Sequence, residues 1–286
     1  MEKENIGFIG LGEMGLPMAI NLQKAGYQVN AFDVDNSRCL DASQSGIICR
    51  ANPKDVAIHA DKTVFSIVRT YEQTEEILLD KNGVLESGRK GLCIVIMSTL
   101  DPFSIKSLEE RVLNKGNYMI DAPVSGSKTG AENASLTILS AGEEKLISQC
   151  HKYFKKIGKN IFNFGPQVGA GQVAKLSNNL VLAINMVGFA EGLRFAEKFG
   201  ISNEKFDELI NVSTGSSWVS QNWEKQIKLW YEEYRPNQTL DILYKDLIAI
   251  MKTCSEKHFS LPFCGLAFHL LLNSWGKRVK NNITSQ

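Results

Sequence analysis

The chain predicts an α/β half built on a parallel sheet, followed by an all-helical half, with one long helix joining the two. Three observations carry this expectation. Short apolar runs alternate with helix-patterned segments from residue 5 to about residue 164. After Gly165-Pro166 no strand pattern is convincing. An apolar, proline-free helical run then extends from about 167 to 200. The expected domains are 1–165 and 166–286.

Residues 5–9 (Asn-Ile-Gly-Phe-Ile) predict a short buried strand. Gly10-Leu11-Gly12-Glu-Met14-Gly15 follows at once, and a helical pattern then runs through Ala19, Leu22 and Ala25 to Gly26. Residues 28–32 predict a second strand, ending at Asp33. A glycine-rich turn alone also caps ordinary strand–helix units. Strand, glycine turn, helix, strand and acid together make the context of a dinucleotide fingerprint, so a Rossmann domain is expected. Gly10 permits the tight turn, Gly12 lets the backbone approach a pyrophosphate, and Gly15 lets helix and strand pack closely. Leu11 and Met14 lie inside that turn and join the cofactor-binding set. Asp33 can accept both ribose hydroxyls and repels a 2′-phosphate, and Val34 stands where a basic residue would suit NADP. NAD is therefore favoured. NADP stays open, because Arg38 lies five residues beyond Asp33.

Apolar runs at 63–68 and 93–97 predict central parallel strands, and 117–122 predicts another. Ligands of open α/β sheets bind beyond the strand ends. That draws attention to Val68-Arg69-Thr70, to Ser98-Thr99-Leu-Asp-Pro102 and to Pro123-Val-Ser125-Gly126-Ser127. A strand at 136–141, a helix at 143–157 and a last strand near 161–164 complete this half. Helices are expected at about 167–200, 203–212, 219–233, 238–256 and 261–275.

The long helix opens with Gly169-Ala-Gly-Gln-Val-Ala-Lys175-Leu-Ser-Asn178-Asn179. Positions i, i+3 and i+4 share a helix face, so Lys175, Asn178 and Asn179 project together. Burial disfavours a charged ammonium and lowers its pKa toward neutrality, which suits a general acid/base. A snorkelling lysine beside two solvated amides fits the helix equally well.

Composition narrows the classes further. The chain has 286 residues, 43% hydrophobic and 22% charged, with a net charge of +1, which gives no electrostatic case for nucleic acid or an anionic membrane surface. Six scattered cysteines without a CxxC pair and four dispersed histidines argue against zinc or a disulfide framework and fit a reducing cytosol. The charged start carries no signal-peptide pattern. Asn185, Glu191 and Arg194 interrupt the apolar run after Leu180, so no membrane span is expected.

Four blocks resemble the β-hydroxyacid dehydrogenase family, which includes 3-hydroxyisobutyrate dehydrogenase and tartronate semialdehyde reductase. They are Gly7-Phe-Ile-Gly-Leu-Gly-Glu-Met-Gly-Leu-Pro-Met18, Asp121-Ala-Pro-Val-Ser-Gly126, Gly169-x-Gly171-x-x-x-Lys175-x-x-Asn178-Asn179 and Lys245-Asp246-Leu247. The resemblance spans residues 5 to about 275 and implies a Rossmann domain followed by a helical one. It implies Lys175 as the catalytic acid/base, with Asn179 and the adjacent Asn178 orienting the substrate and that lysine. Ser125 and Gly126 would hold the substrate carboxylate, Ser127 bordering them. Lys245 would reach the cofactor or the substrate's acid group, and Ser98 and Thr99 would flank the nicotinamide beside Val68 and Arg69.

Each motif keeps a plainer alternative on residue chemistry alone. Ser125-Gly126 fits a strand-to-loop turn, Lys245-Asp246 a solvated pair, and Ser98-Thr99 a helix N-cap. The chain also departs from the family pattern. Ser127 and Ala134 stand where glycines are usual, Ile96 replaces an acid, and Arg69 sits at a Leu-Pro-type step. Arg69 could pair with a substrate acid or a cofactor phosphate, or simply face solvent.

The expected activity is hydride exchange between a nicotinamide cofactor and a small hydroxy acid or semialdehyde, by a homodimer or homotetramer in the cytoplasm. An imine reductase of the same architecture and a non-catalytic dinucleotide sensor are the rivals.

Overall fold

Strand β1 (Asn5–Ile9) is buried at every position after the first, as a strand covered on both faces must be. The computed structural model describes residues 3–228 and 239–271. In it β1 lies mid-sheet among β2 (Gln28–Phe32), β3 (Ile48–Cys49), β4 (Thr63–Ser66), β5 (Cys93–Ile96) and β6 (Tyr118–Asp121). All pairings are parallel, in the order β3-β2-β1-β4-β5-β6. The order reverses between β1 and β4, the switch point where open α/β sheets bind ligands.

Alternate residues of each strand feed opposite cores. Phe8, Phe65 and Val95 join Met18, Leu22, Tyr153 and Phe154 on one face. Ile9, Val64 and Ile94 join Val56, Leu78 and Leu108 on the other. The helices are α1 (Gly15–Lys24), α2 (Asn36–Gln44), α3 (Pro53–His59), α4 (Tyr71–Leu79) and α5 (Pro102–Asn114). Their starts are chemically marked. Asp35 caps α2, Asn52 caps α3 before Pro53, Thr70 and Gln73 form a capping box on α4, and Asp101 caps α5 before Pro102.

The remaining strands leave this sheet, which the continuing alternation did not signal. Strands β7 (Val124–Ser125), β8 (Leu136–Ser140) and β9 (Gly158–Asn163) form a separate sheet, with β7 antiparallel to β8 and β8 parallel to β9. Pro123 has no N–H for a continued β6 ladder, and the chain turns back at Gly126, whose φ is 137°. Helices α6 (Ser127–Glu132) and α7 (Glu144–Ile157) flank this sheet.

Helix α8 runs unbroken from Ala170 to Lys198. Asp121, at the end of β6, fixes its first turn: Gly169 N–H donates to Oδ1 (2.9 Å) and Gln172 N–H to Oδ2 (2.8 Å). The Gln172 side chain makes a second tie. Its Oε1 accepts Leu100 N–H (2.9 Å) and its Nε2 donates to Ser98 O (3.0 Å). Gly171 is obligatory here, because a Cβ would lie 2.8 Å from Asp121 Oδ2 and overlap the Leu139 carbonyl. By length and composition α8 is long and apolar enough to cross a membrane, with one 18-residue window of mean hydropathy 1.3. Its interrupting polar residues do not remove that property, contrary to expectation. A third of the window is buried.

Two compact units divide the chain, Met1–Lys175 and Leu176–Gln286. The second contains the rest of α8, α9 (Asn203–Asn211), α10 (Trp218–Gln221), α11 (Thr239–Glu256) and α12 (Pro262–Leu271). Its core gathers Leu176, Met186, Phe189, Trp223, Leu243, Leu247 and Ile250. The expected helix over 219–233 is interrupted. Four-residue α10 ends at Gln221, Asn222 is its C-cap, and a π-helical turn follows over Trp223–Ile227. Trp230 and Tyr231 lie outside the described residues. Trp223 packs into the core, its ring 4.5 Å from that of Phe189.

Two stability predictions follow from these contacts. Ser127 (φ 57°) and Ala134 (φ 51°) adopt left-handed backbone, which explains why glycine suits both places. Ala134→Gly is expected to stabilise the fold by about 1 kcal/mol, read by urea denaturation. Burial pushes Asp121 up to about 7 from its ordinary 3.8, opposed by the Gly169 and Gln172 N–H donors. The folded chain then keeps a proton that the unfolded chain has released, so this group's stabilisation declines as pH rises from about 4 to about 7. Asp121→Asn is expected to abolish that slope. It should also cost about 1–3 kcal/mol, since its amide NH2 leaves one buried N–H without an acceptor. Denaturation midpoints across that pH range check both.

Candidate active site

The glycine turn has the shape of a phosphate cradle. Gly10 N–H donates to Phe32 O (2.9 Å), and a Cβ on Gly10, at φ 95°, would collide with the Ile67 carbonyl. A Cβ on Gly15 would overlap Gly10 O. Above Gly12 the space is open: among the described residues, a Cβ there would meet Arg38 Nη1 at 3.6 Å and no other atom beyond its chain neighbours within 4 Å. Helix α1 begins after Met14 with no side-chain cap. Leu16 N–H returns to Gly12 O (3.1 Å) and Pro17 has no N–H, so the N–H groups that can meet an anion are those of the turn, Gly12 to Gly15. These residues fit a dinucleotide's pyrophosphate.

Asp33 is almost fully buried beneath that turn. Its Oδ2 accepts Leu11 N–H (2.6 Å) and its Oδ1 accepts Asp35 N–H (2.9 Å). Arg38 Nη1 stands 3.4 Å from Oδ2. Fingerprint and acid are thus one hydrogen-bonded piece.

Across the switch point, the ends of β4 and β5 are joined by Ser98, whose hydroxyl accepts Val68 N–H (2.9 Å). Its carbonyl takes the Gln172 amide described above. The N-cap alternative for Ser98-Thr99 is overturned, because Asp101 accepts the N–H groups of Phe103 and Ser104. Thr99 is partly buried beside Ser98. Arg69 is half-buried, its backbone N–H donating to Gln73 Oε1 (2.9 Å) in the cap of α4.

Ser125 closes β7 opposite Thr137, and Gly126 N-caps α6. Among the described residues, neither Ser125 nor Ser127 spends its hydroxyl on a hydrogen bond. Lys175 is 9% exposed on α8, three residues after Gln172.

The helical unit orders its own polar chain. Asn178 Nδ2 donates to Asn179 Oδ1 (3.0 Å), and Asn179 Nδ2 donates to Asp246 Oδ2 (2.6 Å). Lys245 Nζ lies 2.9 Å from Asp246 Oδ1 as an ion pair. Asp246 is fully buried, which excludes the solvated-pair alternative for Lys245-Asp246. Asp121, Gln172 and Asp246 were not anticipated as site-forming residues. Asp121 and Asp246 stood inside quoted motifs, where a carboxylate among apolar neighbours was the available signal. Among the described residues no cluster of His, Cys, Asp and Glu could hold a metal ion.

Comparison with known proteins agrees with this geometry. Residues 5–165 match the family model for the NAD-binding domain of 6-phosphogluconate dehydrogenase. Residues 169–280 match that for the NAD-binding domain of NADP-dependent 3-hydroxyisobutyrate dehydrogenase. The chain is 36% identical to the NAD-dependent L-serine dehydrogenase of Pseudomonas aeruginosa, over 93% of this chain and 91% of that protein. Bovine mitochondrial 3-hydroxyisobutyrate dehydrogenase is 35% identical over 77% of this chain, which spans 65% of that protein's length. The structure of Mycobacterium tuberculosis 3-hydroxyisobutyrate dehydrogenase with L-serine superposes with a TM-score of 0.82 at 26% identity, covering 95% of this chain and 94% of that one. An imine reductase from Myxococcus stipitatus, at 15% identity and a TM-score of 0.69 over 96% and 95% of the two chains, shares the fold alone. Motifs, fold and relatives converge: the chain belongs to the β-hydroxyacid dehydrogenase family of NAD(P)-dependent oxidoreductases.

Proposed function

We propose that the chain interconverts a small β-hydroxy acid and its semialdehyde, using NAD ahead of NADP, with Lys175 as general acid/base. The observation that carries this is the burial of Lys175 on a helix whose first turn Asp121 and Gln172 pin to the ends of the central strands. Burial disfavours the charged form of a lysine, which suits such a side chain to general acid/base work. The bound nicotinamide supplies the hydride chemistry, which the side chains do not. Gly10, Leu11, Gly12, Met14, Gly15 and Asp33 hold the cofactor, with Val68, Arg69, Ser98 and Thr99 beyond the strand ends. Ser125 and the Gly126 N–H grip the substrate carboxylate, and the Ser127 hydroxyl adds a donor to that loop. Asn178 and Asn179 orient the substrate, and Lys245 adds positive charge for an acid group or the cofactor. The Lys-Asn-Asn face favours this chemistry over imine reduction, and over a sensor that has lost turnover.

The domain boundary is read near residue 165, just after β9 ends, ten residues ahead of the split between the two compact units. Exposed Phe195, Phe199 and Val212 support association into a homodimer or homotetramer, and six free cysteines suit the cytoplasm.

The test follows NADH production with L-serine, 3-hydroxyisobutyrate and sugar-acid analogues. Lys175→Ala is expected to lower kcat by roughly a hundredfold or more, with NADH binding unchanged. Equal turnover by variant and wild type rejects the assignment, and tight NADH binding without turnover of any acid favours the sensor. Asp246→Ala removes the acceptor of Asn179 and the counter-charge of Lys245. It is expected to lower kcat about tenfold or more; an NADH Kd that changes with it, measured by fluorescence titration, assigns Lys245 to the cofactor, and an unchanged one assigns it to the substrate's acid group.

A further inference from the structure

Arg38 is held by two acids of different kinds. Asp33 is buried; its Oδ2 accepts Leu11 N–H of the nucleotide turn and its Oδ1 accepts Asp35 N–H. Replacing it would dismantle the turn. Asp35 is half-exposed and divides its carboxylate between two tasks. Its Oδ1 accepts the Ser37 N–H (2.9 Å) and hydroxyl (2.7 Å), capping α2. Its Oδ2 stands 3.5 Å from Arg38 Nε. The other end of the guanidinium, Nη1, is 3.4 Å from Asp33 and overhangs Gly12. The cation best placed to meet a 2′-phosphate is therefore neutralised on both sides.

We propose that Asp35 is a specificity-determining residue, which excludes the 2′-phosphate of NADP by engaging Arg38 with its outward-facing oxygen. This rests on the dinucleotide reading of the glycine turn. Two physical effects act in the same direction. Asp35 restrains the guanidinium, and it adds a second negative charge beside Asp33 where a phosphate dianion would need positive potential. Asn at this position separates the two tasks of Asp35. Its carbonyl oxygen caps α2 as well as a carboxylate does, while its NH2 offers Arg38 no charge and no acceptor.

The experiment titrates the full chain with NADH and with NADPH by protein fluorescence, and needs no substrate. Asp35→Asn is expected to tighten NADPH binding about fivefold, the scale of an exposed ion pair, with NADH unchanged. Asp35→Ser, which also caps, is expected to act alike. Adding Arg38→Ala to Asp35→Asn is expected to abolish the gain. An unchanged NADPH-to-NADH ratio in both single variants overturns the inference, as does a gain that survives loss of Arg38. If the wild type binds neither nucleotide, the reading of the glycine turn falls and this inference with it. If it binds NADH and the ratio does not move, only the inference falls.

Discussion

The Asp121 carboxylate is the constraint on which the rest of the nucleotide-binding unit depends. One buried side chain at the end of β6 receives two N–H groups from the start of α8, 48 and 51 residues later in the chain. Those donors have no intrahelical partner, and a carboxylate is the group best suited to a helix N-terminus. Gln172 extends the same junction to the end of β5. Lys175 stands one turn further along, and Ser125 follows Asp121 by four residues. The proposed acid/base and the proposed carboxylate grip are therefore both measured from one carboxylate.

Much of this was legible because it is local. The β1–turn–α1–β2–Asp33 unit is written in consecutive residues, each with a backbone reason for its identity. The unbroken apolar run predicted α8 to within three residues at either end. Less local features were silent. Two-residue β3 and β7 are too short to show a period, so the second sheet could not be separated from the first. The Gln172 bridges cross 72 and 74 residues and leave no mark in the sequence. Asp246 looked like half of a solvated pair because its burial depends on packing around Leu247 and Leu243. Ser98 resembled a cap until Asp101 proved to occupy that place.

The departures from the family pattern acquire a physical meaning at Ser127 and Ala134. Both occupy left-handed backbone, so the loop keeps a glycine-type path while carrying side chains. At Ser127 the strain accompanies a hydroxyl next to the proposed carboxylate grip, where a new donor changes which acid fits. At Ala134 only a methyl group is gained. Ile96 is fully buried mid-sheet, and nothing in the structure explains the loss of an acid there.

Asp33 carries a consequence for how a nucleotide is received. Both of its oxygens already accept backbone N–H groups, so its rotamer is set before any ligand arrives. Each carboxylate oxygen has a second lone pair, which leaves capacity for a ribose hydroxyl. The ordering of this side chain is accomplished during folding rather than during association. Affinity at the ribose is thus preorganised, and a change that loosens the turn would weaken binding without removing a single atom that touches the ligand.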